Sequence, residues 1–396
     1  MPRGRTLAWV VVLYLAQGFP YGVVSKIWPV YFRVHGLSLT AIGLMGILSL
    51  PWSWKPLWAP LVDRFGTRGR WIAPCLVALA ALAAAMPWLQ ADAVSPLLVA
   101  ALLAFTFASA TQDIAIDAWA VDASTPETIG LVNGIRVSGF RVAVILAGGL
   151  ALLVAGSLGW KVVWLGGAGL FLALAAAVLF LPEPRRRAAI REWQWRPLLR
   201  WLLRRDMIPV VAFALLFKLG DQVLAKMTEP FWVDRKMSLA EIGLVYNSLG
   251  IALSIVGALA GGWFVTRFGL FRGILWLGLS QTAAILVYAS VAAFPLPRDA
   301  MYIASSLESL AQGLGTAAFL SFLTGCCERE NAATQYALLS ALFSFSREIS
   351  GAFSGWAADR FGYADFFLGA AVLSLPALAL LPLLRPRIVS FERRAA

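Results

Sequence analysis

The sequence predicts an all-α membrane protein of twelve transmembrane helices, arranged as two six-helix pseudo-symmetric halves. Three observations predict it. The 396 residues are 60% AVILMFWYC and only 14% charged, with a mean hydropathy of +0.77, against roughly 45–50% apolar and 25% charged in a soluble domain. At roughly 33 residues per spanning helix plus connector, this length makes about twelve spans. Text from the first half also returns in the second at a fixed offset. A water-soluble enzyme is excluded on these grounds, and so is a disordered or fibrous chain, because burial potential is high throughout.

The elements follow in order. Helix 1 is predicted at 6–32, helix 2 at 39–61 and helix 3 at 71–90. Helix 4 follows at 97–121, helix 5 at 129–156 and helix 6 at 162–182. The second half gives helix 7 at 207–232, helix 8 at 239–264, helix 9 at 273–294, helix 10 at 300–326, helix 11 at 334–357 and helix 12 at 364–384. Helices 3, 6, 9 and 12 are the clearest, because Trp71–Gln90, Val162–Pro182, Gly273–Pro297 and Phe366–Leu384 carry no Asp, Glu, Lys, Arg or His and are about long enough to cross a bilayer. The others carry isolated charges. The N-terminal apolar run leads straight into a long spanning pattern without a small-residue cleavage site, so no cleavable signal peptide is expected.

Orientation follows from Lys and Arg. Twelve spans put both termini on one side. The loops of that side carry 20 of the 33 Lys and Arg, eight of them in the central stretch 183–206, and the opposite loops carry six. The excess marks the cytoplasmic side, so the expected location is the cell inner membrane, multi-pass, with both termini cytoplasmic. Much of the net charge of +12 is then a topology signal with a secondary attraction to anionic membrane lipid, and no nucleic-acid partner is needed.

The repeat is explicit. Ser38-Leu39-Thr40-Ala41-Ile42-Gly43-Leu44 returns as Ser238-Leu239-Ala240-Glu241-Ile242-Gly243-Leu244. Asp63-Arg64-Phe65-Gly66 returns as Thr266-Arg267-Phe268-Gly269, and Leu158-Gly159-Trp160 as Phe361-Gly362-Tyr363. An offset of 200 to 203 residues held from helix 2 to helix 6 indicates a parallel duplication of a six-helix unit. The expected division is an N-terminal half at 1–182, an Arg-rich cytoplasmic linker at 183–206 and a C-terminal half with a short basic tail at 207–396.

Several motifs carry more specific information. The helix 2–3 loop contains Asp63, Arg64, Gly66, Arg68 and Arg70, a tight charged turn able to act as a charge-assisted latch on a two-state gate. It resembles the G-x-x-x-D-R-x-G-R-R signature of the major facilitator superfamily, with Ala59 at the first position and Thr67 interrupting the basic run. Around it stand Gln17-Gly18-Phe19-Pro20-Tyr21-Gly22 in helix 1, the Pro- and Trp-rich 50–64 segment closing helix 2, Gln112-Asp113-Ile114-Ala115-Ile116-Asp117 in helix 4 and Lys218-Leu219-Gly220-Asp221 in helix 7. Together these are similar to the peptide–acetyl-coenzyme A–drug transporter family, which includes muropeptide permeases of the AmpG type, acetyl-CoA transporters and siderophore permeases. The resemblance covers most of the chain and implies proton-driven secondary transport of a small-molecule substrate by alternating access. Import of a muropeptide-type solute is the leading reading, and siderophore, acetyl-CoA and drug transport stay open.

Charges at membrane depth are the best candidates for a site, because each is costly in hydrocarbon. Asp113 and Asp117 are spaced i,i+4 and share one face of helix 4. Two close carboxylates need not both ionise, and one can hold a proton, so they lead the proton-coupling candidates, with Asp221 and Glu308 next. Arg136 and Arg141 on helix 5 are candidate partners, ~140° apart around the helix. A fixed structural Asp117–Arg136 pair is the plainer alternative. Candidate cavity residues are Gln17 and Tyr21 on helix 1, Lys55 on helix 2, Gln112 on helix 4, Lys218 and Gln222 on helix 7, Gln312 on helix 10 and Arg347 and Glu348 on helix 11, besides the two arginines. Lys218–Asp221 also reads as a neutralising intrahelical pair, and Lys55 as a side chain reaching to the cytoplasmic face.

Three Cys, two of them adjacent, and a single His offer neither a disulfide framework nor a metal or haem site, and no cofactor is expected. A membrane-embedded enzyme would need a nucleophile–base set at membrane depth, which the sequence lacks. A receptor or scaffold would need appended partner-binding regions. A monomer is expected.

Overall fold

In the computed structural model, residues 3–89, 91–123, 129–183, 200–326 and 332–395 are described. Helices cover all twelve predicted segments, and there is no strand among the described residues. Nine of the described helices are long and apolar enough to cross a membrane by length and composition. Residues 184–199 of the predicted linker 183–206 lie outside the described residues.

Several helices are broken where the sequence gives reason. Helix 1 runs Arg3–Gly22, passes through a π-helical turn at Val23–Ile27 and resumes at Trp28–Val34. Helix 2 is built of pieces, Leu39–Met45, Leu50–Trp54 and Ala59–Arg64, joined by 3-10 turns at Gly46–Ser49 and Lys55–Leu57. Pro51, Pro56 and Pro60 each remove a backbone donor, which the tighter turns accommodate. Helix 7 divides into Ile208–Leu216 and Leu219–Asp234, breaking just before Gly220. Further π turns occur in helix 5 at Leu146–Leu150 and in helix 8 at Ile242–Leu249.

The repeat sets the corners. Gly66, Gly159, Gly269 and Gly362 have φ of 69°, 85°, 87° and 78°, a region that favours glycine. They form two pairs, 66 with 269 and 159 with 362, at the offset of the duplicated text. The second pair closes helices 5 and 11 against helices 6 and 12. Ala332–Ala379 is helical throughout except at Gly362.

The chain divides into two compact units. Unit 1 comprises 1–37, 48–191 and 232–248, and unit 2 comprises 38–47, 192–231 and 249–396. In unit 1, helix 1 packs closely on helix 5 because Gly18 and Gly22 leave room for the helix 5 backbone and Ala147. A Cβ at Gly18 would lie 2.6 Å from the Phe140 carbonyl oxygen. Arg33 holds Asp234 in a bidentate pair, Nε to Oδ1 at 2.7 Å and Nη2 to Oδ2 at 2.5 Å. In unit 2 the core gathers Phe213, Phe217, Phe319 and Phe322 with Trp201, Leu381 and Ile388.

Candidate functional site

Unit 1 holds a string of charges along helix 4. Its 28-residue helix Pro96–Ala123 carries Asp113 and Asp117 on one face, as their spacing requires. Asp113 is 5% exposed. Lys55 Nζ donates to its Oδ2 at 2.6 Å. The other oxygen, Oδ1, is buried with no hydrogen-bond partner among the described residues. The 3-10 turn at Lys55–Leu57 is what turns Lys55 toward helix 4, and Trp58, at its end, donates from Nε1 to Thr111 Oγ1 at 3.2 Å. Lys55 is thus tied to a buried carboxylate, which replaces the reading of it as a side chain reaching for the cytoplasmic face.

Asp117 stands in a wetter place. Its side chain is 43% exposed, and its Oδ1 accepts from Tyr14 Oη at 2.6 Å and from Arg136 Nη2 at 3.0 Å. The Arg136 guanidinium also lies over the Tyr14 ring, 5.0 Å from its centroid. Helix 5 therefore presents Arg136 to helix 4 and leaves Arg141 exposed, as the angle between them requires.

Gln17 and Gln112 are buried beside this string. Gln112 donates from Nε2 to the Ala16 carbonyl at 3.1 Å. The Oε1 atoms of both glutamines lack partners among the described residues, as does the Nε1 of Trp52. Tyr21 meets Trp52 edge-on at 5.6 Å and Phe140 at 5.3 Å.

At the end of helix 4, Arg68 is 6% exposed and bonds the Val62 carbonyl at 3.0 Å and Asp122 Oδ2 at 3.3 Å. Glu183 accepts from the backbone N–H groups of Arg68 and Gly69 at 3.2 and 2.9 Å, capping the start of helix 3. Arg64 is exposed and lies over the Phe65 ring. The Asp63 side chain lies outside the described residues. Asp122 and Glu183 were not among the sequence candidates. Acidic residues at helix ends need no special explanation, so only their closeness to the loop arginines could have marked them.

Unit 2 holds a different arrangement. Lys218 donates to Asp221 Oδ2 within helix 7, to Gln281 Oε1 at 3.3 Å and to the Gln312 carbonyl at 3.3 Å. Gln281 Nε2 returns to Asp221 Oδ2 at 2.8 Å. The network is closed and buried, which favours the neutralising-pair reading of Lys218–Asp221. Gln281 was also missed, although one amide in the charge-free stretch of helix 9 was a signal. Gln222 is 7% exposed, and neither of its amide atoms has a partner among the described residues. Glu308 is 6% exposed and accepts from Ser309 at 3.5 Å. Arg347 is half-buried, and the Glu348 side chain lies outside the described residues.

Membrane-length helices that keep ion pairs in their interior and, among the described residues, amides without partners define a multi-pass membrane protein with a polar interior. Residues 10–220 match the Major Facilitator Superfamily. The chain is 32% identical over 391 residues to the anhydromuropeptide permease of Escherichia coli strain K12, covering 96% of this chain and 79% of that one. It is 26% identical to the putative transporter AmpG 4 of Rickettsia felis, covering 96% of each. Among solved structures, a bacterial homologue of the human lysosomal transporter Spinster superposes with a TM-score of 0.80 at 16% identity, covering 98% of each chain. The nucleoside transporter NupG superposes with a TM-score of 0.72 at 14% identity, covering 96% and 98%. The chain belongs to the Major Facilitator Superfamily and is a multi-pass inner-membrane transporter of a small molecule.

Proposed function

We propose that the protein is a proton-coupled importer of a muropeptide-type solute, working by alternating access with both termini in the cytoplasm. Similarity to the anhydromuropeptide permease along nearly the whole chain supports the cargo. The observation that carries the coupling is the Lys55–Asp113 pair, whose carboxylate keeps one buried oxygen without a partner.

Its chemistry suggests an exchange of partners. With Asp113 ionised, Lys55 is neutralised and has no net charge to offer. A proton on Asp113 removes its hold on Lys55, whose side chain is 25% exposed. The freed ammonium can then take one carboxylate of the solute. Before loading the site holds one cation and one anion. After loading it holds a neutral acid, a cation and the solute's anion. Net charge is zero in both, so neither state places an uncompensated charge at membrane depth. Proton and solute then bind cooperatively, because each favours the same arrangement of Lys55.

The test uses purified protein in proteoliposomes. Asp113→Asn keeps the size of the side chain and removes its titration. Accumulation of anhydromuropeptide under an imposed pH gradient should be lost, while exchange against preloaded solute survives. Persistent gradient-driven accumulation would move the proton site to Asp221 or Glu308. Preference for an iron-chelating solute over the muropeptide would change the cargo.

A further inference from the structure

The two copies of the repeated S-L-x-x-I-G-L text start helices 2 and 8, and each serine caps its helix. Ser38 Oγ accepts from Ala41 N, and Ser238 Oγ from Glu241 N, both at 3.2 Å. The copies differ at the second and third helical residues, Thr40 and Ala41 against Ala240 and Glu241. Glu241 completes a capping box by accepting from Ser238 N at 2.6 Å. Ala41, at the same place in helix 2, has no carboxylate to offer.

Helix 2 takes its carboxylate from elsewhere. Asp359 Oδ2, 319 residues along the chain on helix 11, accepts from Thr40 N at 2.7 Å and from Thr40 Oγ1 at 2.5 Å. At the repeat offset of 203, the position equivalent to Asp359 is Gly156 on helix 5. A Cβ there would lie 3.5 Å from Leu239 Cβ, against the start of helix 8. The exchange is reciprocal: one copy has Ala41 with Asp359, the other Glu241 with Gly156. Below the caps the packing is alike. Gly43 lies against Gly355 in unit 2 and Gly243 against Gly149 in unit 1, with a Cβ on either Gly43 or Gly243 falling 2.7 Å from backbone.

We propose that Asp359 is a positioning residue of the transport cycle, which caps helix 2 only while helices 2 and 11 touch. The first turn of a helix leaves N–H groups unsatisfied and carries partial positive charge, so an aspartate there is stabilising. When helix 11 moves away, helix 2 loses its carboxylate, whereas helix 8 keeps Glu241 wherever it goes. The helix 2–helix 11 contact therefore favours the closed outer end in a way the helix 5–helix 8 contact does not. A capping interaction of ordinary strength shifts such a closed-to-open ratio about five-fold. The inference rests on the transport reading above and on the topology that puts these helix ends on the outer side.

The test separates the cap from the bias. Spin labels are placed on the exposed Leu44 and Phe361 in a chain whose cysteines at 75, 326 and 327 are replaced. Asp359→Ala should lower the thermal midpoint and raise the widely separated population about five-fold. Adding Ala41→Glu gives helix 2 a cap of its own. That double variant should regain the midpoint and keep the enlarged open population. If Asp359→Ala leaves the distance distribution unchanged, or if the double variant restores it with the midpoint, Asp359 is only a structural cap and the proposal is overturned. Should Asp359→Ala fail to accumulate, Thr40→Val removes one of the two donors and should give a smaller shift in the same direction, with no shift overturning the proposal. Neither readout needs solute. A shifted distribution in a protein that carries no muropeptide would therefore refute the cargo and leave this inference standing.

Discussion

Asp113 and Asp117 lie one turn apart on helix 4, yet each holds its own cation, Lys55 at 2.6 Å for the first and Arg136 at 3.0 Å for the second. The first carboxylate is nearly enclosed and the second is 43% exposed. Their roles should therefore separate on substitution. Lys55→Gln leaves a buried carboxylate without its cation and should cost roughly 2–3 kcal/mol, somewhat below a fully buried pair because Lys55 is partly exposed. Asp113→Asn added to Lys55→Gln removes the orphaned charge and should recover most of the loss. Thermal unfolding of both singles and the double in detergent checks it. A double variant as unstable as the sum of the singles would mean that the pair is not coupled.

Asp117 should be more forgiving. Tyr14→Phe removes one hydrogen bond to its Oδ1 and leaves Arg136 in place. Half-exposure lets water replace the phenol, so the cost should be about 1 kcal/mol. Solute exchange in proteoliposomes should continue at a rate within a few-fold of the parent. Arg136→Ala should cost more, because it removes both the ion pair and the guanidinium lying on Tyr14. If Tyr14→Phe abolishes gradient-driven uptake while exchange survives, the proton passes through Asp117.

Much of this was legible because burial in lipid makes a few residues expensive. Asp113, Asp117 and Lys218 stand out against apolar text, and the repeat marks Gly66, Gly159, Gly269 and Gly362 as corners. Pairings were harder to read. Lys55 and Asp113 are 58 residues apart, and helix 2 is interrupted by two 3-10 turns, so spacing on a straight helix cannot say which way Lys55 points. Gln281 escaped because glutamines were weighed only on helices 1, 4, 7 and 10, where other polar residues stand at helical spacing, and helix 9 offers no such stripe. Ala41 and Glu241 sit in the most obvious repeated text, but their difference has meaning only once Asp359 is seen capping Thr40.

The closed network of unit 2 should serve folding. Asp221 Oδ2 is already shared by Lys218 and Gln281. Gly315 lies against this amide, and a Cβ there would fall 1.5 Å from Gln281 Oε1, so the Gln281 side chain would have to move. Gly315→Ala should displace the amide, break two hydrogen bonds and cost about 2 kcal/mol, read as a lower thermal midpoint. Gln281→Ala should do the same without a steric clash. Both should leave the proton-to-solute ratio of the surviving protein unchanged. A changed ratio would bring Asp221 into the coupling.

The helix 2–3 loop offers the last prediction. Arg68 is anchored by Asp122 through its side chain and by Glu183 through its backbone, so both anchors lie on neighbouring segments of unit 1. Such contacts bias a gate only if they are lost in the other state. Glu183→Gln keeps an acceptor for only one of Arg68 N and Gly69 N, because the two N–H groups use different carboxylate oxygens and an amide NH2 cannot accept, and it removes the charge at a helix N-terminus, a combined loss of about 1–2 kcal/mol. Asp122→Asn removes the partner of a buried guanidinium and should cost more. We expect both to lower the maximal transport rate while the solute KM stays near that of the parent, because the loop carries none of the cavity candidates. Asp63→Asn should behave in the same way. The measurement is initial uptake against solute concentration for the three variants, with binding followed separately by tryptophan fluorescence. A KM raised by an order of magnitude with an unchanged maximal rate would place this loop in solute recognition and remove it from the gate.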